Sequence, residues 1–243
     1  MPHFFINSKN KSGNTIIIND TENYRHIARA LRARVGESLL LIDEAQIQYE
    51  TKITEINSSE IICEIEKSYL SKRDLDFDLY LAQSPLRSDA QLTIIEKATE
   101  LGVRGVYPII TDNCALNKSV FKKKHEKWQK VMHEASKQCE RAKVPTCFEP
   151  TTLEKVLEND FDKILVLAER STEISFKEFL RKNPIKKGEK VLTIIGPEGG
   201  FSQVEFEFFK AKNLPLISLG DLILKAETAV IVTLGDIVYE YQG

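Results

Sequence analysis

Two short stretches concentrate the residues of this chain that bear on chemistry. In IIGPEGGFSQVEFE, Ile194 to Glu207, three glycines, a proline and the carboxylate of Glu198 fall within five residues. In SLGDLILKAETA, Ser218 to Ala229, an apolar run ends at Gly220, and Glu227 and Thr228 follow in what reads as the first turn of a helix. Both stretches have the form strand, glycine turn, helix. The loop at the carboxyl end of a parallel strand is where open α/β sheets bind ligands, and glycine lets a backbone come close to one. Backbone N–H groups in such a loop can hold a carboxylate or an adenine edge. The plainer reading is a tight turn with no ligand. Ser202 and Glu205 have the spacing of a capping box, which is purely structural, and Glu227 at a helix start complements the helix dipole with or without a ligand. Neither stretch is a Walker loop or a G-x-G-x-x-G turn. Two glycine-punctuated strand ends so close in sequence point to one ligand held by both.

Basic residues form a second pattern. RHIARALRAR places Arg25, Arg29, Arg32 and Arg34 together, and Arg29 and Arg32, three apart on a helix, can grip phosphates jointly. Lys127, Lys130, Lys137 and Arg141 line one face of a long helical stretch, preceded by Lys122 to Lys124. A solvated face is the ordinary meaning of such a run. With a net charge of −2, however, two local basic clusters favour a nucleic-acid ligand held by a patch rather than by a global field. The four cysteines, Cys63, Cys114, Cys139 and Cys147, have no C-x-x-C spacing and the four histidines are scattered, so no metal site is expected. The start lacks a basic-then-apolar signal pattern and no run approaches the roughly 20 apolar residues of a membrane helix, so a cytoplasmic protein is expected.

The elements that must position these residues follow from periodicity. The first seventy residues carry short runs rich in Ile, Leu and Tyr, interrupted by one helix around ENYRHIARALR with Asp20 or Thr21 as its cap. This predicts a small barrel, with Lys67 to Asp76 as the linker after it. Beyond the linker, strands and helices alternate. FDLYLAQS, VRGVYPII, DKILVLAE, EKVLTIIG and LPLISLG read as strands. SDAQLTIIEKATELG reads as a helix with Leu92, Ile95, Ala98 and Leu101 on one face and Gly102 as its stop. The long helix has Trp128, Val131 or Met132, Ala135 and Cys139 as its apolar face, and the chain ends in the helix AETAVIVTLGDIVYEY. Such alternation predicts a mostly parallel α/β sheet.

Taken in order, MPHFF, HIARALRARVGE, QSPLRSDAQLTIIEKATELGV, EKWQKVMHEASKQCERAKVP, IGPEGGFS and LGDLILKAETA resemble the bacterial 16S ribosomal RNA uridine-N3 methyltransferases of the SPOUT (trefoil-knot) superfamily. The resemblance covers nearly the whole length. It implies a PUA-like β-barrel RNA-binding domain over 1–72. It also implies an α/β SPOUT methyltransferase domain with a C-terminal deep trefoil knot over 73–243. The implied cofactor is S-adenosylmethionine, the implied partners are 16S rRNA in the 30S subunit and a second copy of the chain, and no membrane is involved. The implied reaction methylates ring nitrogen 3 of one uridine, position 1498 in the usual rRNA numbering. Ile195, Gly196, Pro197, Gly199 and Gly200 would form one wall of the cofactor pocket. Ser218, Leu219, Gly220, Leu224, Thr228 and Ala229 would form the opposite one, with Leu167 and Glu169 ending a third strand beside them. Arg25, Arg29, Arg32, Arg34 and Lys137 would hold RNA.

Arginine is common in the family where this chain has Leu222 and Lys225. Glycine and serine are usual in the segment holding Cys139 and Glu140, and Ser88 fills a glycine-like position after Arg87. Uracil N3 carries a proton and normally pairs, so the base must be unpaired or flipped and its developing anion stabilised. Glu198 and Glu227 compete as the group that positions the base or takes its proton. Arg87 and Arg141 are candidates to stabilise the uracil oxygens or hold neighbouring phosphates. A non-enzymatic RNA-binding factor would not need both glycine loops, and the Asn…Gly-x-x-x-Arg signature common in ribose methyltransferases is absent.

Overall fold

The computed structural model describes residues 3–114, 118–169, 172 and 174–242; the side chains of Ser88, Lys118, Ser119 and Lys122 lie outside the described residues. The chain divides into two compact units, residues 1–74 with 137–143, and residues 75–136 with 144–243.

The first unit is built on a six-stranded sheet, β1 (His3–Phe5), β2 (Lys11–Ser12), β3 (Thr15–Ile18), β4 (Ser38–Ile42), β5 (Ile47–Ile56) and β6 (Ile61–Leu70), in the order β1-β4-β5-β6-β3-β2. All pairings are antiparallel except β1 with β4. Alternate residues of these strands, among them Ile16, Ile18, Leu39, Leu41 and Ile53, close over Phe4 and Ile27 to form the core. β6 runs through Leu70, which pairs with Ile47, so the expected linker from Lys67 begins too early: Lys67 to Leu70 are ladder residues. Asp20 caps the helix, its side chain accepting the Asn23 N–H. Helix α1 (Thr21–Tyr24) then loosens into a π-helical stretch, Arg25–Ala30, and Arg32 lies beyond it with φ +53°. The helical i,i+3 relation expected of Arg29 and Arg32 is therefore not formed.

The segment 137–143 belongs to this unit through specific bonds. Lys137 Nζ lies 3.0 Å from Glu22 Oε1, Arg141 Nη2 lies 3.0 Å from Asp74 Oδ1, and Arg73 pairs with Glu140. Glu140 has φ +57°, the left-handed region that suits glycine.

The second unit carries a seven-stranded, wholly parallel sheet: β7 (Asp78–Gln83), β8 (Gly105–Pro108), β9 (Thr146–Cys147), β10 (Lys163–Leu167), β11 (Ile174–Ser175), β12 (Lys190–Ile195) and β13 (Leu216–Ser218). Its order is β11-β13-β10-β12-β7-β8-β9. The central strands are continuous apolar runs, KILVL and KVLTII, because both faces are covered. The helices are α2 (Ser88–Glu100), α3 (Lys118–Gln138), α4 (Leu153–Val156), α5 (Phe176–Lys182), α6 (Gln203–Ala211) and α7 (Ala226–Tyr241).

Helix α2 buries Ile94, Ile95 and Ala98 fully, with Leu92 and Leu101 half-buried at the edge of the same face. It ends in a Schellman motif: the Gly102 N–H donates to the Thr99 carbonyl and the Val103 N–H to that of Ala98, at 3.1 and 3.2 Å. Helix α3 buries Trp128, Met132 and Ala135, while Val131 and Cys139 are half-buried.

Candidate functional site

Strand register brings the loops together. Leu167 of β10 pairs with Ile195 of β12 on one side and Ile217 of β13 on the other, so three carboxyl ends stand in a row. The row continues through Gln83 of β7, which pairs with Ile195 and with Pro108 of β8. The loops after β13, β10, β12, β7 and β8 thus leave the same edge of the sheet in that order.

At the β13-β10-β12 end they enclose a cavity of about 520 Å³. Leu167 and Glu169 line it from β10. Ile195, Gly196, Pro197, Glu198 and Gly200 line it from β12, and Ser218, Leu219, Gly220 and Leu224 from β13. Glu227 and Ala229 reach it from the start of α7. Two expected members do not line it: Thr228 is exposed beyond the wall, because at one residue from Glu227 it points off that face of α7, and Gly199 faces a neighbouring recess. Sequence reasoning did not assign Ala90, Ala168, Phe201, Ile223 and Ala226 to this wall, nor Leu222 and Lys225, which it singled out only as departures. Ala168 sits between two residues that were assigned, a signal that was available. Leu222 and Ile223 are 80% and 68% exposed, so two apolar side chains stand at the cavity mouth.

The wall from β12 is held from two sides. The capping box forms: Ser202 Oγ accepts the Glu205 N–H, and Glu205 Oε2 accepts the Ser202 N–H at 2.8 Å. Glu205 extends this local cap into a tertiary clamp, its Oε1 accepting the Asp112 N–H at 3.1 Å while Ser202 Oγ donates to Asp112 Oδ2 at 2.5 Å. Asn113 adds to the clamp, its Nδ2 standing 3.3 Å from the Gly199 carbonyl oxygen and 3.1 Å from that of Gly200. Gly200 has φ +68°, and a Cβ built on it would stand 3.0 Å from Glu169 Oε1. On the other wall, Ser218 Oγ bonds the N–H and the carbonyl of Gly220, at 3.1 and 3.0 Å. The first turn of α7 has no side-chain cap, which leaves backbone donors beside the cavity.

The remaining expected site residues fall elsewhere. Arg87 does not line the cavity; its backbone N–H lies 3.4 Å from Glu198 Oε1, and the residue lines the neighbouring recess. Arg141 belongs to the first unit, 4% exposed, and its ion pair with Asp74 makes it a buried structural cation rather than a group of the cavity. Lys137, 8% exposed and paired with Glu22, is likewise withdrawn from the basic face, on which Lys127 and Lys130 are exposed. Arg25, Arg29, Arg32 and Arg34 are all exposed, without ion pairs among the described residues.

Comparison with known proteins agrees with this geometry. The family described as RNA methyltransferase domain matches residues 73–238, and that described as RNA methyltransferase PUA domain matches residues 18–66. The chain is 29% identical over 227 residues to the ribosomal RNA small subunit methyltransferase E of Bacillus subtilis strain 168, covering 90% of this chain and 88% of that protein. The Rickettsia conorii protein of the same name is 28% identical over 234 residues, covering 96% and 93%. Among solved structures, a Legionella pneumophila methyltransferase in complex with the bound cofactor SAM superposes with a TM-score of 0.84 at 25% identity, covering 98% of this chain and 97% of that one.

Proposed function

The chain belongs to the RNA methyltransferase family, with that family's PUA domain at its N-terminal end, and on this premise we propose that it methylates ring nitrogen 3 of one uridine in 16S rRNA, position 1498, using S-adenosylmethionine. The main support is the cavity fed by three aligned strand ends, together with similarity along almost the whole chain to two rRNA small subunit methyltransferases. The residues present fit the cofactor. A volume of about 520 Å³ falls within the range of small-molecule sites, and the walls are mainly apolar with a few convergent polar groups. Gly200, at φ +68°, marks a place where the backbone path favours glycine.

In this reading Leu167, Ile195, Leu219, Leu224 and Ala229 bed the cofactor, and Glu169, the backbone of Gly196 to Gly200 and the Ser218–Gly220 turn fix its polar parts. When bound, S-adenosylmethionine supplies an electrophilic methyl group on a sulfonium. The protein's own tasks are to align the ring nitrogen with that methyl group, to take up the N–H proton and to steady the developing charge on the uracil oxygens. Glu198 and Glu227 both line the cavity and remain the two candidates for proton acceptor; Arg87 is the candidate cation. The exposed Arg25, Arg29, Arg32 and Arg34 would anchor RNA phosphates from the PUA-like domain.

The reading extends to a domain boundary between residues 72 and 73 and to the superfamily's trefoil knot. The later strand β12 lies between β7 and β10 in the sheet, an order in keeping with a threaded connection. It extends also to a homodimer, in keeping with the exposed apolar pair Leu222 and Ile223 at the cavity mouth, and to a cytoplasmic enzyme acting on the assembled 30S subunit. Among the described residues no helix is long and apolar enough to cross a membrane.

The test is methyl transfer to small subunits from cells lacking this modification, followed by nucleoside mass spectrometry. Label in 3-methyluridine is the expected result. Label in any other nucleoside would overturn the acceptor assignment, and no label with cofactor bound would overturn the substrate assignment.

A further inference from the structure

The order of the sheet gives the β12 loop two faces. On one side, with the loops after β10 and β13, it encloses the cofactor cavity. On the other, with the loops after β7 and β8, it borders a second recess of about 550 Å³ lined by Arg87, Asp112, Asn113, Cys114, Glu198 and Gly199. The two differ in chemistry: leucine, isoleucine and alanine side chains dominate the first, whereas Arg87, Asp112, Asn113 and Glu198 dominate the second. Among the described residues, Glu198 is the one that lines both. A methyl acceptor must approach from outside the bed that holds the donor, so a transfer site needs a second opening, and this recess shares a wall with the first.

We propose that the recess receives the acceptor base, a pyrimidine presenting a carbonyl–NH–carbonyl edge, with Arg87 and Glu198 reading that edge. The assignment rests on the uridine reading above and deepens it. Arg87 is exposed and enters no ion pair among the described residues, so its guanidinium donors are available to a ring carbonyl that gains negative charge. Glu198, held beside the Arg87 backbone N–H at 3.4 Å, offers a carboxylate acceptor to the ring N–H; it takes that proton and passes it to water. Asn113 cannot read the edge with its amide donors, because Nδ2 is committed to the Gly199 and Gly200 carbonyls; it holds the shared wall in place. The recess also makes Arg87 the choice over Arg141, whose guanidinium is buried against Asp74.

The test uses the full-length protein and small subunits carrying 4-thiouridine at the target position, irradiated without cofactor and mapped by peptide mass spectrometry. Crosslinks to the peptides containing Arg87 or Asp112 to Cys114 are expected; crosslinks confined to the Leu219–Lys225 loop would overturn the proposal. In parallel, Arg87→Gln should keep S-adenosylmethionine affinity within about twofold while kcat falls at least tenfold. The rising limb of its kcat–pH profile should move to higher pH, because a neighbouring cation lowers the pKa of the ring N–H. Arg87→Lys should restore part of both. Loss of cofactor affinity in step with turnover would overturn the proposal. Wild-type label in a nucleoside other than uridine, with crosslinks still in the recess, would overturn the uridine reading and support the recess as the acceptor site.

Discussion

Gly200 is the position where the cofactor wall depends most directly on the absence of a side chain. Its φ of +68° lies in the left-handed region, and a built Cβ meets Glu169 Oε1 at 3.0 Å. Gly200→Ala therefore meets two costs. The left-handed conformation costs an L-residue about 1–2 kcal/mol; the contact with Glu169 costs less, because a carboxylate at the end of a flexible side chain can swing aside. If the loop keeps its path, the cost appears as lost folding stability. If the loop relaxes, the cost appears in cofactor affinity, where about 1–2 kcal/mol corresponds to roughly 5- to 30-fold. Calorimetric titration with S-adenosylmethionine and urea unfolding of the same preparation separate the two, and their sum should reach at least about 1 kcal/mol. Gly199→Ala is the internal control: its backbone has no positive φ, and its built Cβ meets the Asn113 Cβ at 3.1 Å, which a shift of a few tenths of an ångström relieves. A Gly200→Ala protein with unchanged affinity and stability, or one less affected than Gly199→Ala, would refute the placement of the wall.

Other perturbations address the rest of the molecule. Asp74→Ala removes the carboxylate 3.0 Å from the Arg141 guanidinium, 5% exposed in its side chain, and should destabilise the protein by about 3 kcal/mol, measured as a drop in urea midpoint at constant slope. Arg29→Glu with Arg32→Glu should weaken binding to a 16S fragment and reduce the slope of log affinity against log salt by about 2, with cofactor affinity unchanged; parallel loss of both affinities would point to misfolding instead. His3 is 6% exposed, both its ring nitrogens lack a partner among the described residues, and burial, assisted by the Arg73 charge, lowers its pKa from 6.5 to about 4. Between those values the unfolded chain binds a proton that the folded one refuses, so stability is full above about pH 6.5 and falls as pH drops toward 4. The difference in stability between His3→Phe and wild type should therefore grow over that window, and a pH-independent difference would contradict the assignment. Asn113→Asp, an acceptor-only isostere facing two carbonyl oxygens, should weaken S-adenosylmethionine binding more than Asn113→Ala does at pH 8; the reverse order would show that Asn113 acts by packing alone.

What the sequence made legible was whatever is encoded locally. The central strands of the second unit are unbroken apolar runs, Gly102 stops α2 by a motif that spans six residues, and Ser202 caps α6 through Glu205 three positions on. The two glycine loops could be paired because both follow such strands, and the register of β10 with β12 and β13 then sets them side by side. Elements with too little length to show a period, such as β9, β11 and α4, escaped. Basic residues were the other failure, and for one reason. Helical spacing groups Lys127, Lys130, Lys137 and Arg141 on one face, but Glu22 and Asp74, 115 and 67 residues from their partners in sequence, pair with the last two, whose own side chains are buried. Asn113 escaped for the same reason, since its two acceptors lie 86 and 87 residues away. Spacing identifies which residues can share a face. Whether a polar side chain on that face is free to meet a ligand or already committed to the protein is decided by its distant partners. Arg87, Arg25, Arg29, Arg32 and Arg34, candidates that kept their exposure, have no carboxylate ion-pair partner among the described residues.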